Sequence, residues 1–211
     1  MNKFVENAVA RYPALSVCQS EIEQTIALLI EVVKNDSTIF VAGNGGSASD
    51  ADHICGEFLK GFMLKRELID EEKAALEVYG EVGCDLAKKL QRGIKAISLL
   101  SHPGFTSAFL NDVDGTMSVA QQLFALGRKG DVLIAISTSG NADNLQKAMI
   151  TAKSRGIKTI LLTGERHGLC EEFSDIVINA PACETYKVQE YHLPIYHAIC
   201  QAVEDYFFGN K

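Results

Sequence analysis

Apolar residues recur along this chain in two rhythms. Over residues 15–34 they fall at Ile22, Ile26, Leu29, Ile30 and Val33, the three-and-four spacing of an amphipathic helix. Residues 38–42 form a short β-rich run that stops at Gly43-Asn44-Gly45-Gly46-Ser47, and they read as a buried strand. Ser47 can then cap a helix running to about Phe62. Residues 96–100, 131–136, 157–163 and the shorter 176–179 are four further strands. Helices are predicted over 103–110, 117–126, 142–155 and 184–208. The stretch 64–92 is charged and mostly helical in pattern, with breaks at Gly80 and Gly83. Strands alternating with helices predict an α/β fold, a parallel five-stranded sheet covered on both faces. Such sheets bind ligands at the carboxyl edge of their strands.

Composition narrows the function classes. The chain has 211 residues, 47% of them hydrophobic, enough for one compact globular unit. Its net charge of -7 argues against a nucleic-acid surface, which needs clustered Lys and Arg. No signal peptide and no membrane-length apolar run is visible, so a cytoplasmic protein without a membrane partner is expected. The cysteines, Cys18, Cys55, Cys84, Cys170, Cys183 and Cys200, are scattered without a Cys-x-x-Cys pair and read as buried reduced thiols.

Two small-residue turns follow strands directly. One is Asn44, Gly45, Gly46 and Ser47 after Gly43; the other is Ser137, Thr138, Ser139, Gly140 and Asn141. Glycine lets the backbone approach an anion, and the helix that follows presents unpaired N–H groups. No acid closes the next strand, since Ser101 and His102 follow Leu100, and no Gly-Lys-Ser/Thr follows either turn. Both nucleotide signatures therefore fail, and no nucleotide cofactor is expected. A sugar phosphate fits the turns better.

The groups for proton transfer lie on helices. His53 and Glu57, four residues apart, share a helix face beyond the glycine turn. Gln189 and His197 are eight apart, about 12 Å of helix rise. To meet at one ligand they need a kink at Pro194 or the contribution of two subunits. His192 competes with His197 for a role; His102 and His167 lie in loops without an evident partner.

In order, Gly43-Asn44-Gly45-Gly46-Ser47, His53-x-x-x-Glu57, Ser137-Thr138-Ser139-Gly140-Asn141, Gln189-Glu190-x-His192 and His197 resemble the sugar isomerase (SIS) domain of the phosphoheptose isomerase family. The resemblance covers almost the whole chain. It implies a three-layer αβα sandwich flanked by N- and C-terminal helices, with one SIS domain over 1–211; the stretch 64–93, longer than the usual connection and longer than in the family, reads as a helical insertion. It also implies a homotetramer with sites between subunits, acting on sedoheptulose 7-phosphate and D-glycero-D-manno-heptose 7-phosphate. On that pattern Glu57 and His197 are catalytic. Asn44, Gly45, Gly46, Ser47, Ser137, Thr138, Ser139, Asn141 and Gln189 meet the substrate. Zinc or another divalent metal, where present, sits on His53, Glu57, Gln189 and His197. The chain departs from the family at Ala142, at His102 where an Asp is usual, and at Lys60-Gly61 where Gly-Arg is usual. The same fold also serves non-catalytic adaptors and sugar-phosphate-sensing regulators, and isomerases of other phosphosugars.

Overall fold

The computed structural model describes residues 2–209; Met1, Asn210 and Lys211, at the ends of the expected 1–211 unit, lie outside the described residues. The strands β1 (Ile39–Gly43), β2 (Ala96–Ser98), β3 (Val132–Ile136), β4 (Lys158–Thr163) and β5 (Ile176–Asn179) form one sheet. Their order is β2-β1-β3-β4-β5 and all four pairings are parallel. The helices are α1 (Lys3–Arg11), α2 (Gln19–Lys34), α3 (Gly46–Leu59), α4 (Asp70–Glu77), α5 (Gly80–Lys89), α6 (Pro103–Phe109), α7 (Ser118–Leu126), α8 (Asp143–Ser154) and α9 (Thr185–Phe208).

Side chains alternate across a strand, so each central strand feeds two cores. Ile39, Val41, Ile134, Ile160, Leu162 and Ile178 pack on one face with Ile22 and Leu29 of α2, Ile54 and Phe58 of α3, and Ile195 and Ile199 of α9. Phe40, Ala42, Leu133, Ala135 and Leu161 pack on the other with Leu123 of α7 and Leu145, Ala148 and Met149 of α8. Burial on both faces explains why β1 and β3 read as unbroken apolar runs. The expected three-layer α/β sandwich is present. Among the described residues, no helix is long and apolar enough to cross a membrane.

Several boundaries move for local reasons. The helix expected from residue 15 begins at Gln19, because Pro13–Cys18 forms a 3-10 turn first. Ser47 does not cap α3: Gly45, at φ +56°, is the N-cap, and Ser47 is buried inside the helix. That left-handed φ is one glycine adopts without strain. Asp131, expected in the third strand, turns its carboxylate back instead, accepting from Thr38 N at 2.8 Å and Arg128 N at 2.7 Å. The stretch 64–93 is a loop, the helical pair α4 and α5, and a bridge between Glu67 and Gln91. Of the cysteines, Cys183 is exposed and Cys84 half-buried, against the expectation of buried thiols throughout.

Helix α3 stops at Leu59 rather than Phe62 because Lys60 turns extended, at φ -132° and ψ 171°. Its last carbonyls need partners. The buried Arg66 guanidinium supplies them, donating from Nη1 to Phe58 O at 2.7 Å and from Nη2 to Glu57 O at 2.9 Å. Arg66 Nε donates in turn to Glu204 Oε1 of α9 at 2.8 Å. Glu204 also accepts the N–H groups of Phe62 and Met63, at 2.8 and 2.7 Å. One ion pair thus ties the end of α3 and the following loop to α9.

Candidate active site

The two turns lie side by side at the carboxyl edge. Gly43 and Ile136, the last residues of β1 and β3, are direct partners in the sheet, so the turns start at the same height. The side-chain amides of Asn44 and Asn144 bridge the two segments with reciprocal hydrogen bonds of 2.9 Å. Beside them opens a cavity of about 560 Å³ with Asn44, Leu110, Asp114, Thr116, Ala142 and Asn144 on its walls. The turn residues divide by exposure. Asn44, Gly45, Gly46, Ser139 and Asn141 are exposed and Thr138 is half-buried, while Ser47 and Ser137 are buried. Asn141 also serves the fold: its Nδ2 donates to Ser139 O at 2.8 Å and its Oδ1 accepts from Leu169 N at 3.0 Å.

Helices α3 and α9 lie against each other in the same direction. Gln189 sits at the start of α3, where a Cβ added to Gly46 would come within 2.6 Å of its Nε2. Two turns further along, Tyr196 and His197 meet His53. Further still, Glu204 meets the loop beyond α3. This register places Gln189 and His197 at different heights along α3. Helix α9 continues through Pro194, and no kink there brings the pair to one point in a single chain.

The groups expected from the sequence to transfer protons, His53, Glu57 and His197, cluster at the middle of this seam. His53 Nε2 lies 3.3 Å from Glu57 Oε1, and Lys60 Nζ lies 3.3 Å from Glu57 Oε2. Glu57 is only 8% exposed, so its carboxylate is held by these neighbours with little help from water. The His197 ring stands edge-on to His53 at 5.2 Å and tilted over Phe62 at 5.3 Å. Burial lowers the His197 pKa, the positive field of His53 adds to this, and Glu57 opposes it. This lowering favours the neutral ring, and its Nε2 is buried without a hydrogen-bond partner.

The remaining histidines are placed elsewhere. His192 is buried against the end of β4, with Nε2 3.3 Å from Thr163 O, and burial pushes its pKa down to about 4. It is a packed neutral histidine. His102 and His167 do have partners, against expectation: Gln122 Oε1 at 2.9 Å and Glu171 Oε2 at 2.7 Å. The hydrogen bond to Glu171 raises the His167 pKa.

Four residues around the seam escaped the sequence reading. Asp50 and Tyr196 adjoin His53; Arg66 and Glu204 hold the end of α3. Asp50 carried a signal, being one turn before His53. Arg66 and Glu204, 138 residues apart in sequence, carried none.

The donor types of His53, Glu57, Gln189 and His197 suit zinc. Their placement in one chain does not. Among the described residues, no three His, Cys, Asp or Glu side chains are gathered as metal ligands, and Gln189 stands apart at Gly46.

Known proteins share this framework. A phosphoheptose isomerase of Helicobacter pylori (strain P12) is 34% identical over 205 residues, covering 97% of this chain and 94% of the relative. That of Aneurinibacillus thermoaerophilus is 36% identical over 190 residues, covering 90% and 83%. Among solved structures, phosphoheptose isomerase GmhA from Neisseria gonorrhoeae matches with a TM-score of 0.74 at 28% identity, over 96% of this chain and 95% of that one. A phosphoheptose isomerase from Francisella tularensis shares the fold, with a TM-score of 0.76 at 24% identity over 95% and 94% of the two chains. The SIS domain profile matches residues 106–200, which include the serine turn and most of α9 but not the glycine turn. On its near full-length likeness to these relatives, the chain belongs to the phosphoheptose isomerase family.

Proposed function

We propose that this protein is an aldose–ketose isomerase that interconverts sedoheptulose 7-phosphate and D-glycero-D-manno-heptose 7-phosphate through an enediol(ate). The observation that carries the reading is the buried Glu57 carboxylate beside His53 at 3.3 Å, with His197 edge-on to the same histidine. Glu57 removes the proton from C1 of the ketose and returns it to C2. His197, neutral and with an unpartnered Nε2, moves the proton between the two oxygens. The exposed N–H groups and hydroxyls of the two turns hold the phosphate.

Distance along α3 favours an oligomer. Glu57 is eleven residues beyond Gly46, roughly 16 Å of helix rise, more than an extended seven-carbon sugar phosphate spans. A phosphate in one chain's turns therefore serves the proton-transfer cluster of another copy. The exposed Leu59, Met63 and Leu193, close to that cluster, suit an interface between copies. The assembly proposed is a homotetramer, in which Gln189 of one copy can approach the cluster of the next. Zinc or another divalent cation belongs to this assembled site only.

An adaptor or sensor has no use for a buried carboxylate paired with an imidazole. The deciding experiment is to incubate the protein with sedoheptulose 7-phosphate in deuterium oxide. Deuterium enters C1 of recovered ketose if the proposal is right. A protein that binds the sugar but exchanges nothing is an adaptor or sensor. Light scattering that gives a monomer mass at micromolar concentration removes the shared site.

A further inference from the structure

The two edges of the sheet are built differently. The carboxyl edge carries the two turns. The amino edge carries a cavity of about 400 Å³, walled by residues 33–37, which lead into β1, residues 92–95, which lead into β2, and the end of α9. The five residues of β1 separate it from the glycine turn, about 16 Å of strand. Three cations stand on its walls, Lys34, Arg92 and Lys95, against one acid, Asp36. Ile94, Phe207 and Phe208 supply apolar wall. In a chain of net charge -7, this local excess of positive charge runs against the average.

The cations are only partly neutralised. Lys95 Nζ pairs with Asp36 Oδ1 at 2.7 Å and donates to Asp36 O at 3.1 Å. Lys34 Nζ stands over the Tyr206 ring at 4.8 Å. Arg92 stands over the Phe208 ring at 5.5 Å, and its Nε lies 3.9 Å from Glu72 Oε2, beyond hydrogen-bond reach. A ring holds a cation in place without cancelling its charge. The frame behind these side chains is fixed. Arg92 N donates to Arg66 O at 2.8 Å, and Ile94 N donates to Phe58 O at 2.9 Å. Phe208 also packs against the buried Arg66, 4.8 Å from its ring. A cavity with a fixed frame and cationic tips loses little order when an anion enters.

We propose that this cavity is a second ligand site, for a small phosphate monoester with a flat apolar body. Such a phosphate carries about two negative charges at pH 7, which matches three cations set against one acid. Arg92 offers a fork of donors to its oxygens, and Lys34 and Lys95 add point charges. The apolar wall receives the body. The site lies apart from both turns and from the α3–α9 seam, and it does not depend on the isomerase reading.

Phenyl phosphate is the probe, because it joins a phosphate to one aromatic ring. Isothermal titration calorimetry with the whole protein should show saturable binding. Lys34→Ala combined with Lys95→Ala should weaken that binding about tenfold or more. The control Arg128→Ala with Lys129→Ala removes two exposed cations outside the cavity and should leave it unchanged. Inorganic phosphate should bind about tenfold more weakly than phenyl phosphate, since it lacks the ring. Should the double cavity variant fail to fold, Lys34→Gln alone carries the measurement, with a fall of about fivefold. No saturable binding overturns the proposal. So does binding that survives in full in a folded cavity variant, which places the probe at the turns, or binding that falls equally in the control, which makes it a general charge effect. Equal affinity for inorganic phosphate overturns the ligand class.

Discussion

The two ends of α3 solve different problems by different means. At its start, the glycine turn, proposed to hold the phosphate, leaves residues 44–46 exposed, and Gly45 enters the helix at φ +56°. Toward its other end, Glu57 is buried beside His53 and Lys60, its neighbours in sequence, and His197 of α9 stands edge-on to His53. Its own backbone carbonyl is held by Arg66, which is held by Glu204. An anion site made of N–H groups tolerates loose surroundings, because the donors are fixed by the turn itself. A proton-transfer site made of side chains works only if packing fixes each rotamer. The Arg66–Glu204 pair belongs to that second requirement.

The sharpest separation of the two ends comes from Glu57→Gln. The amide keeps the shape but cannot take a proton, so kcat should fall ~10²–10⁴-fold while sugar-phosphate binding survives. Near-normal turnover would show that Glu57 is not the base and that the buried end of α3 is only packing.

Glu204→Ala is next in size. It leaves the buried Arg66 charge and the N–H groups of Phe62 and Met63 without their acceptor. Loss of one partner of a buried pair costs ~3–5 kcal/mol, readable by urea denaturation. The double replacement Arg66→Met with Glu204→Met should recover part of the loss, since no unpaired charge remains. A single variant as stable as wild type would mean that the clamp does not hold α3.

His192 gives a pH-dependent contribution on the α9 side of the seam. Its folded pKa, about 4, lies below the ordinary 6.5. Between these values the unfolded chain binds a proton that the folded chain refuses. Stability is therefore unaffected above about pH 6.5 and falls as pH drops towards 4, by about 3 kcal/mol in all. Comparing His192→Gln with wild type isolates this part of the acid profile. Parallel curves for the two would show that His192 is not buried as a neutral group.

The smallest effect is expected at the exposed end. In Gly46→Ala the new Cβ would come within 2.6 Å of Gln189 Nε2, the mobile tip of a side chain that can move aside. A cost of about 1 kcal/mol, roughly a fivefold rise in KM with kcat little changed, is expected from steady-state kinetics. A fall in kcat alone would place Gln189 with the proton chemistry rather than with the anion.

Periodicity and turn residues by themselves determined the five strands, their parallel pairing and the two small-residue turns after β1 and β3, because these depend on short-range pattern and backbone geometry. Gly43 marked the end of β1, and Ser137 the end of β3, directly in the sequence. The likeness of His53-x-x-x-Glu57 to a family pattern named the proposed reacting groups, and their four-residue spacing put them on one helix face. Only the tertiary structure decided that Gln189 lies at Gly46 while His197 lies at His53, because the register of α9 on α3 is set by packing along the whole seam. It alone paired Arg66 with Glu204 and Tyr196 with Asp50, contacts that span 138 and 146 residues. Long-range contacts like these leave no periodic trace: each is one residue in its own segment, and its partner is chosen by the fold.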